Sequence, residues 1–415
     1  MSTVSDHSFV PFTNPPVSTN VSPILPIITA FGQLQTEMSS LLIERDEAVH
    51  AALVALVARE HLLLIGPPGT AKSLLVTQLS RRITSAQGGD LSLFTWLMTK
   101  FTTPEDLYGP ISLQGLKQDR YTRVTTGRLP TAKLVFLDEV LRGSDPILET
   151  LLTAMNEREF DNDGQRNPIP LLSLFGATND VNVPSNTDGK IGAVWDRFLL
   201  RLKVDYVSES NFARMMQLTP SSSSSLQTQV SETDLQILQQ YTQAIVVPAE
   251  IIEVLRQVRR ELLDKKMVVS DRRWMQCLGL LRATALLAGR GRVENSDLKI
   301  LQHVLWQKLD QRTDLTRMLV RLVSPYEGDI LEIRDTAASC MKSLETIRAD
   351  HSLDDEQQMK AAMEAMGKLR TSIRDLESLR KQMQGNATNT DVADQALIEV
   401  KQMITEVSEL IVSPF

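Results

Sequence analysis

Two cysteines and five histidines in 415 residues leave little room for thiol or metal chemistry. Cys277 and Cys340 lie far apart and outside any CxxC pair, so both read as buried small apolar residues in a reducing compartment. His7, His50, His61, His303 and His351 are scattered without the spacing of metal ligands. No run approaches the roughly 18 consecutive apolar residues of a membrane helix, and the N-terminal stretch lacks a basic segment followed by an apolar one. The expectation is a soluble, cytoplasmic protein without membrane insertion. An excess of positive charge is also missing: 44 Lys and Arg stand against 51 Asp and Glu, a net charge of −7. That balance argues against a protein that holds nucleic acid by an overall positive field, though it leaves a local basic channel open. What is present is 42% hydrophobic and 23% charged residues, the composition of a folding chain, and at roughly 150 residues per domain the length predicts two or three domains.

Residues 1–27, rich in Pro, Ser, Thr and Asn, read as a flexible arm. From residue 28 to 225, helical segments alternate with short apolar runs at 61–66, 93–97, 134–138, 171–177 and 199–204. Apolar runs of this length are expected as buried parallel strands, and their alternation with helices as an α/β sheet covered on both faces. Two insertions read as hairpins. The first, residues 111–127, turns at a glycine or at Asp119, and the second, 157–171, turns at Asp163-Gly164. A serine run, residues 221–225, reads as a linker into an all-helical segment, 226–311, with Ser270 and Ser296 as N-caps and Gly289 as a stop. Residues 312–415 follow as three helices with single apolar stripes. Ile330, Ala337 and Leu344 lie on the first, Met366, Leu369 and Met383 on the second, and Leu397, Val400 and Val407 on the third, predicting an antiparallel three-helix bundle.

The chemistry concentrates in four places. Gly66, Pro67, Pro68, Gly69, Thr70, Ala71, Lys72 and Ser73 fit the phosphate-binding pattern GxxxxGK[ST], except that Ala71 takes the place of the second fixed glycine. Between a buried strand and a helix, such a loop surrounds phosphates with backbone N–H groups. Lys72 reaches the β and γ phosphates and Ser73 supplies a hydroxyl to Mg²⁺. Ala71 restricts a φ angle that glycine would leave free. Asp138 and Glu139 end an apolar strand about 65 residues later; Asp138 suits Mg²⁺ and Glu139 suits orienting an attacking water. Asn179 follows the fourth apolar run, where it could orient water beside Glu139. Arg197 precedes the fifth run and Arg272 opens a later helix, with Arg273 as a competing candidate.

In this order and with these gaps, PPGTAKS, FLDE, GATND and DRF resemble an AAA+ ATPase. FTTPEDLYGP, GRLPTAKLVFLDEV and LLTAMNEREF resemble its MoxR group, and IERDEAVHAALVAL with SDRRW resembles the RavA branch most closely. The resemblance covers residues 30–310. It implies a five-stranded parallel sheet, a helical lid from about residue 232, and a homo-oligomer, a hexameric ring or spiral, with ATP between subunits. It further implies Lys72 and Ser73 as the P-loop pair, Asp138 and Glu139 as the second acidic motif, Asn179 as sensor 1, Arg197 as an arginine finger and Arg272 as sensor 2. The two insertions correspond to those that face the pore or the partner in this group. The implied activity is ATP hydrolysis that remodels a client protein, with a von Willebrand A-domain protein as partner. A nucleic-acid motor or loader, carried by Lys117, Arg120 and Arg123, and an ATP-gated scaffold are the alternatives. The RavA branch places a β-rich domain within its C-terminal helices, and residues 312–415 offer no strand-rich stretch for one.

Overall fold

The computed structural model describes residues 19–179, 189–218, 228–349, 355–385 and 390–412; the serine run and residues 1–18 of the expected arm lie outside them. Helices α1 (Leu25–Leu41) and α2 (Asp46–Ala58) lead into β1 (Leu62–Ile65). Then come α3 (Lys72–Arg82), β2 (Ile83–Thr84), β3 (Leu93–Leu97), the short α4 (Pro104–Tyr108) and α5 (Leu113–Leu116), β4 (Leu134–Asp138) and α6 (Asp145–Asn156). The hairpin β5 (Glu159–Asn162) and β6 (Gln165–Pro168), β7 (Ser173–Thr178), α7 (Lys190–Arg197), β8 (Leu200–Lys203), α8 (Glu209–Met216) and β9 (Val230–Ser231) complete this part. Five strands form one sheet in the order β3-β4-β7-β1-β8, all parallel.

The inner strands of that sheet are almost wholly buried. β1 and β7 are inner strands with every residue buried, as parallel strands roofed by helices on both faces must be. β3 was expected to be equally buried, but it forms the sheet edge, so its burial alternates and Leu97 is 57% exposed. The stretch 171–177 begins pairing only at Ser173, and the last strand only at Leu200. At Gly66 a Cβ would meet the Val204 carbonyl oxygen at 1.9 Å, so only glycine lets the end of β8 lie against the start of the phosphate loop.

The first insertion is not the expected β-hairpin. Ser112 accepts a hydrogen bond from the Gly115 N–H and caps a single helical turn, α5, leaving one isolated bridge between Ile111 and Arg123. The chain reverses at Asp119, at φ 54°. The second insertion is the expected antiparallel hairpin, with Asp163 and Gly164 both at positive φ in its turn. The hairpin tip holds the first insertion through two backbone amides: Tyr121 N–H donates to Asp163 Oδ1 (2.7 Å) and Arg123 N–H to Asn162 Oδ1 (2.8 Å).

The helical lid comprises α9 (Glu232–Ala244), α10 (Ala249–Asp264), α11 (Asp271–Leu287) and a 3-10 segment, Asn295–His303. Ser270 caps α11 and Gly289, at φ 74°, follows its end, both as expected. The last predicted lid helix is instead this 3-10 segment, capped by Glu294 rather than Ser296. The lid is fastened to the sheet. β9 pairs in parallel with β2 at the end of α3, and Lys133 Nζ lies 2.6 Å from Glu232 Oε2. α9 and α11 pack on α2. Arg201 of β8, fully buried, stacks between Trp195 and Trp306 at 4.9 and 5.1 Å and donates to the Val304 carbonyl.

The chain divides into two compact units, Met1–Arg312 and Thr313–Phe415. The division falls in the first turn of α12 (Gln311–Val323), and α13 (Pro325–Ala349), α14 (Asp355–Gly385) and α15 (Asp391–Val412) follow in the second unit. The last three pack as a bundle around Ile330, Leu344, Leu369, Leu376, Val400 and Val407. Arg380 near the end of α14 pairs with Asp394 near the start of α15 at 2.7 Å, which fixes their antiparallel sense. No described helix is long and apolar enough to cross a membrane.

Candidate nucleotide-binding site

Because the sheet is parallel, the segments after β1, β4 and β7 emerge at one edge, and the sequence places Lys72, Glu139 and Asn179 directly after those strands. Their side chains meet. Lys72 Nζ donates to Asn179 Oδ1 (3.1 Å) and to the carbonyls of Gly66 (2.7 Å) and Pro67 (2.8 Å) of its own loop. Asn179 Nδ2 donates to Glu139 Oε1, and its backbone N–H to Oε2 (3.4 Å). Glu139 is buried and sits at φ 51°, a left-handed conformation that favours glycine and that aims its carboxylate back across the strand ends. Burial lowers the Lys72 pKa, and the neighbouring Asp138 and Glu139 oppose that shift.

The loop itself departs from the glycine pattern where expected. Ala71 adopts φ 64°, ψ 23°, the left-handed conformation that glycine enters without strain. Thr70 is buried, and its hydroxyl donates to the Pro67 carbonyl (2.9 Å). Ser73 lies exposed on the first turn of α3, and α3 packs on β4, which ends at Asp138. A hydroxyl and a carboxylate are hard oxygen donors, so this pair fits Mg²⁺ held together with substrate phosphates.

Two residues of this edge escaped sequence reasoning. Arg45 is buried and donates to the carbonyls of Thr70 (3.2 Å), Glu44 (2.8 Å) and Asp205, tying the phosphate loop to the segment after β8. Arg142 Nε lies 3.3 Å from Glu139 Oε2. In sequence Arg45 lies among charged residues and Arg142 between an apolar pair and a glycine, and neither pattern separates them from solvated charge.

Arg197 and Arg272 lie elsewhere. Leu62 pairs with Leu200, so Arg197, three residues before Leu200, sits at the edge where β1 begins. Arg272 donates to Asn156 Oδ1 (3.2 Å), while the carbonyl of the adjacent Met155 accepts from His61, the residue just before β1. From His61 to Gly66 a strand climbs about 16 Å at 3.3 Å per residue. Neither arginine therefore joins Lys72 and Glu139 in the same chain. Arg273, the competitor, is buried with its donors committed to the carbonyls of Leu199, Val304 and Asp196 and to Asp196 Oδ1. Arg272 is exposed. Of the cations proposed for nucleic acid, Arg123 is turned inward onto Glu105 (3.2 Å) and the Gly109 carbonyl (2.9 Å).

A P-loop at the end of β1, an acidic pair at the end of β4, an asparagine after β7 and a helical lid define a nucleotide-binding domain of the AAA+ class. Residues 29–243 match the family described as the MoxR domain in MoxR–vWA–β-propeller ternary systems, and residues 250–319 match an AAA lid domain. The chain belongs to the MoxR family of AAA+ ATPases. It is 30% identical over 339 residues to an uncharacterised protein of Methanocaldococcus jannaschii, covering 81% of this chain and 87% of the relative. A second uncharacterised protein of that organism is 29% identical, covering 89% of this chain and 94% of the relative. The chaperone MoxR1 of Mycobacterium tuberculosis is 29% identical over 187 residues, 44% of this chain and 47% of the relative. A solved structure from Cytophaga hutchinsonii, provisionally described as an ATPase, shares the fold at a TM-score of 0.56 and 17% identity, covering 72% of this chain and 94% of that one.

Proposed function

We propose that this chain hydrolyses ATP at sites shared between subunits of a homo-oligomer and uses the cycle to remodel a client protein. The observation that carries the reading is the placement of Arg197 and Arg272 at the sheet edge opposite Lys72 and Glu139. A folded chain with the phosphate loop on one edge and two candidate phosphate-reading arginines on the other completes an active site only by presenting the second edge to a neighbour's first.

In this reading Lys72 and the loop N–H groups hold the phosphates. Ser73 and Asp138 hold Mg²⁺, which when bound neutralises phosphate charge. Glu139 orients the attacking water and accepts its proton, and Asn179, bonded to both Lys72 and Glu139, keeps base and phosphate in register. Arg197 and Arg272 of the adjacent subunit stabilise the charge that develops on the γ-phosphate. The vWA domain in the name of the matching family supports a von Willebrand A-domain protein as partner. Kinship with the RavA branch rests on residues 43–56 and 270–274, and no function of a β-rich insertion is carried over to residues 313–415.

The test is ATPase rate per subunit against protein concentration, with Arg197→Ala and Glu139→Gln assayed singly and mixed. Each variant alone should lose at least 10²-fold in rate, since each lacks one essential group of every site. The mixture should recover activity, because an interface can then pair an intact Glu139 with an intact Arg197. A rate independent of concentration, with a dead mixture, overturns the shared site.

A further inference from the structure

The edge that carries Arg197 and Arg272 holds a cavity of about 110 Å³, and the proposed reaction gives a role to those two of its lining residues alone. Four arginines line it: Arg59 at the end of α2, Arg158 after α6, Arg197 at the end of α7 and Arg272 on α11. Two carboxylates lie among them: Asp196, which is 3.9 Å from Arg197 and 3.1 Å from buried Arg273, and Glu60, which has no arginine within ion-pair distance among the described residues. Glu60 accepts from Gln276 Nε2 on both oxygens, at 3.3 and 3.2 Å. Gln276 stands one turn beyond Arg272 on α11, so the carboxylate braces the helix that carries the arginine.

We propose that Glu60 is an electrostatic placeholder for the neighbouring subunit's γ-phosphate: it balances the arginine cluster between engagements and takes up a proton when the phosphate arrives. The inference rests on the shared-site reading above. Four like charges around one cavity repel each other, and the two carboxylates relieve them; a polyanion arriving from outside makes the Glu60 charge redundant and repels it. Burial already drives the Glu60 pKa up to about 7, against the pull of Gln276, Arg158, Arg272 and Arg273. Burial drives the pKa of the adjacent His61 down to about 4 and raises that of Cys277 to about 12. An added anion at Arg197 and Arg272 moves the Glu60 pKa higher still, so near neutral pH the carboxylate protonates as the interface closes on ATP. Assembly is then favoured by acid within the neutral range.

The experiment uses the full chain with ATP and Mg²⁺. The protein concentration that gives half-maximal ATPase rate per subunit is measured from pH 6 to 8.5, for the native chain and for Glu60→Gln. For the native chain that concentration should rise several-fold from pH 6 to pH 8; for Glu60→Gln it should stay low and nearly flat, since glutamine imitates the protonated acid. A Glu60→Gln profile that follows the native one overturns the placeholder while leaving the shared site standing. A native rate that is independent of concentration at every pH overturns the shared site and the placeholder with it. Thermal unfolding guards against a misfolded variant and gives a second reading. A raised folded pKa adds stability that is complete below about pH 4.5 and lost as the pH rises through 7, so the native midpoint should fall across that window more than that of Glu60→Gln. Equal slopes count against the proposal.

Discussion

At φ 64° Ala71 occupies a conformation that costs an L-residue roughly 1–2 kcal/mol, while glycine would enter it freely but lose more entropy on folding. The balance predicts that Ala71→Gly stabilises the chain by about 0.5–1 kcal/mol, read as a higher urea midpoint at unchanged slope. A lower midpoint would mean that the alanine methyl makes contacts worth more than the strain. Glu139 is also left-handed, but its side chain joins Asn179 and Arg142, so glycine there should stabilise the backbone and abolish hydrolysis together. His61 shows how a residue with no sequence signal can still organise a site. Buried and neutral, it donates from Nε2 to the Met155 carbonyl (3.0 Å) and accepts at Nδ1 from the Leu174 N–H (3.0 Å), locking α6 and β7 to the start of β1.

Between elements, the attachment of the lid decides which way its arginine faces. The two-residue pairing of β9 with β2 would be marginal alone, and Glu232 reinforces it by accepting from the Ala86 N–H (3.0 Å) and from Lys133. Burial raises the Glu232 pKa, but these two partners outweigh it and hold the carboxyl below its ordinary value. Its stabilisation is therefore complete above about pH 4.5 and lost as the pH falls through the lower folded value. Glu232→Ala, which strands a largely buried lysine, should cost about 2 kcal/mol at pH 7 and much less at pH 3, measured by denaturant unfolding at both. The same loss at both values would show that the ion pair is not the source. The two insertions form a second joint. Asp163→Ala removes the acceptor for the Tyr121 amide, so exchange of that amide with solvent should speed up by 10-fold or more while the hairpin amides hold.

For the molecule as a whole, the division at residues 312 and 313 gives two cores, and every residue of the candidate site lies in the first. Leu369→Ala, at a fully buried bundle position, should destabilise the second unit by about 2–5 kcal/mol and leave the nucleotide affinity of the first unchanged. Calorimetry with a nucleotide titration checks both halves; a weakened nucleotide site would mean that the units are energetically coupled.

The sheet strands, the phosphate loop and the acidic pair were legible in sequence because each is a local pattern: a short apolar run, a glycine-proline turn before a helix, two carboxylates ending a strand. The edge position of β3, the 3-10 segment after Glu294 and the helical turn in place of a hairpin were not, since each depends on what lies beside the segment in space. By itself the sequence determined which residues follow which strand, and in a parallel sheet that is enough to gather Lys72, Glu139 and Asn179 at one edge. Only the tertiary structure decided where Arg272 goes and that Glu60 stands among the arginines. Those placements are set by long-range contacts, of α11 with Asn156 and of Gln276 with Glu60, between residues more than 100 positions apart.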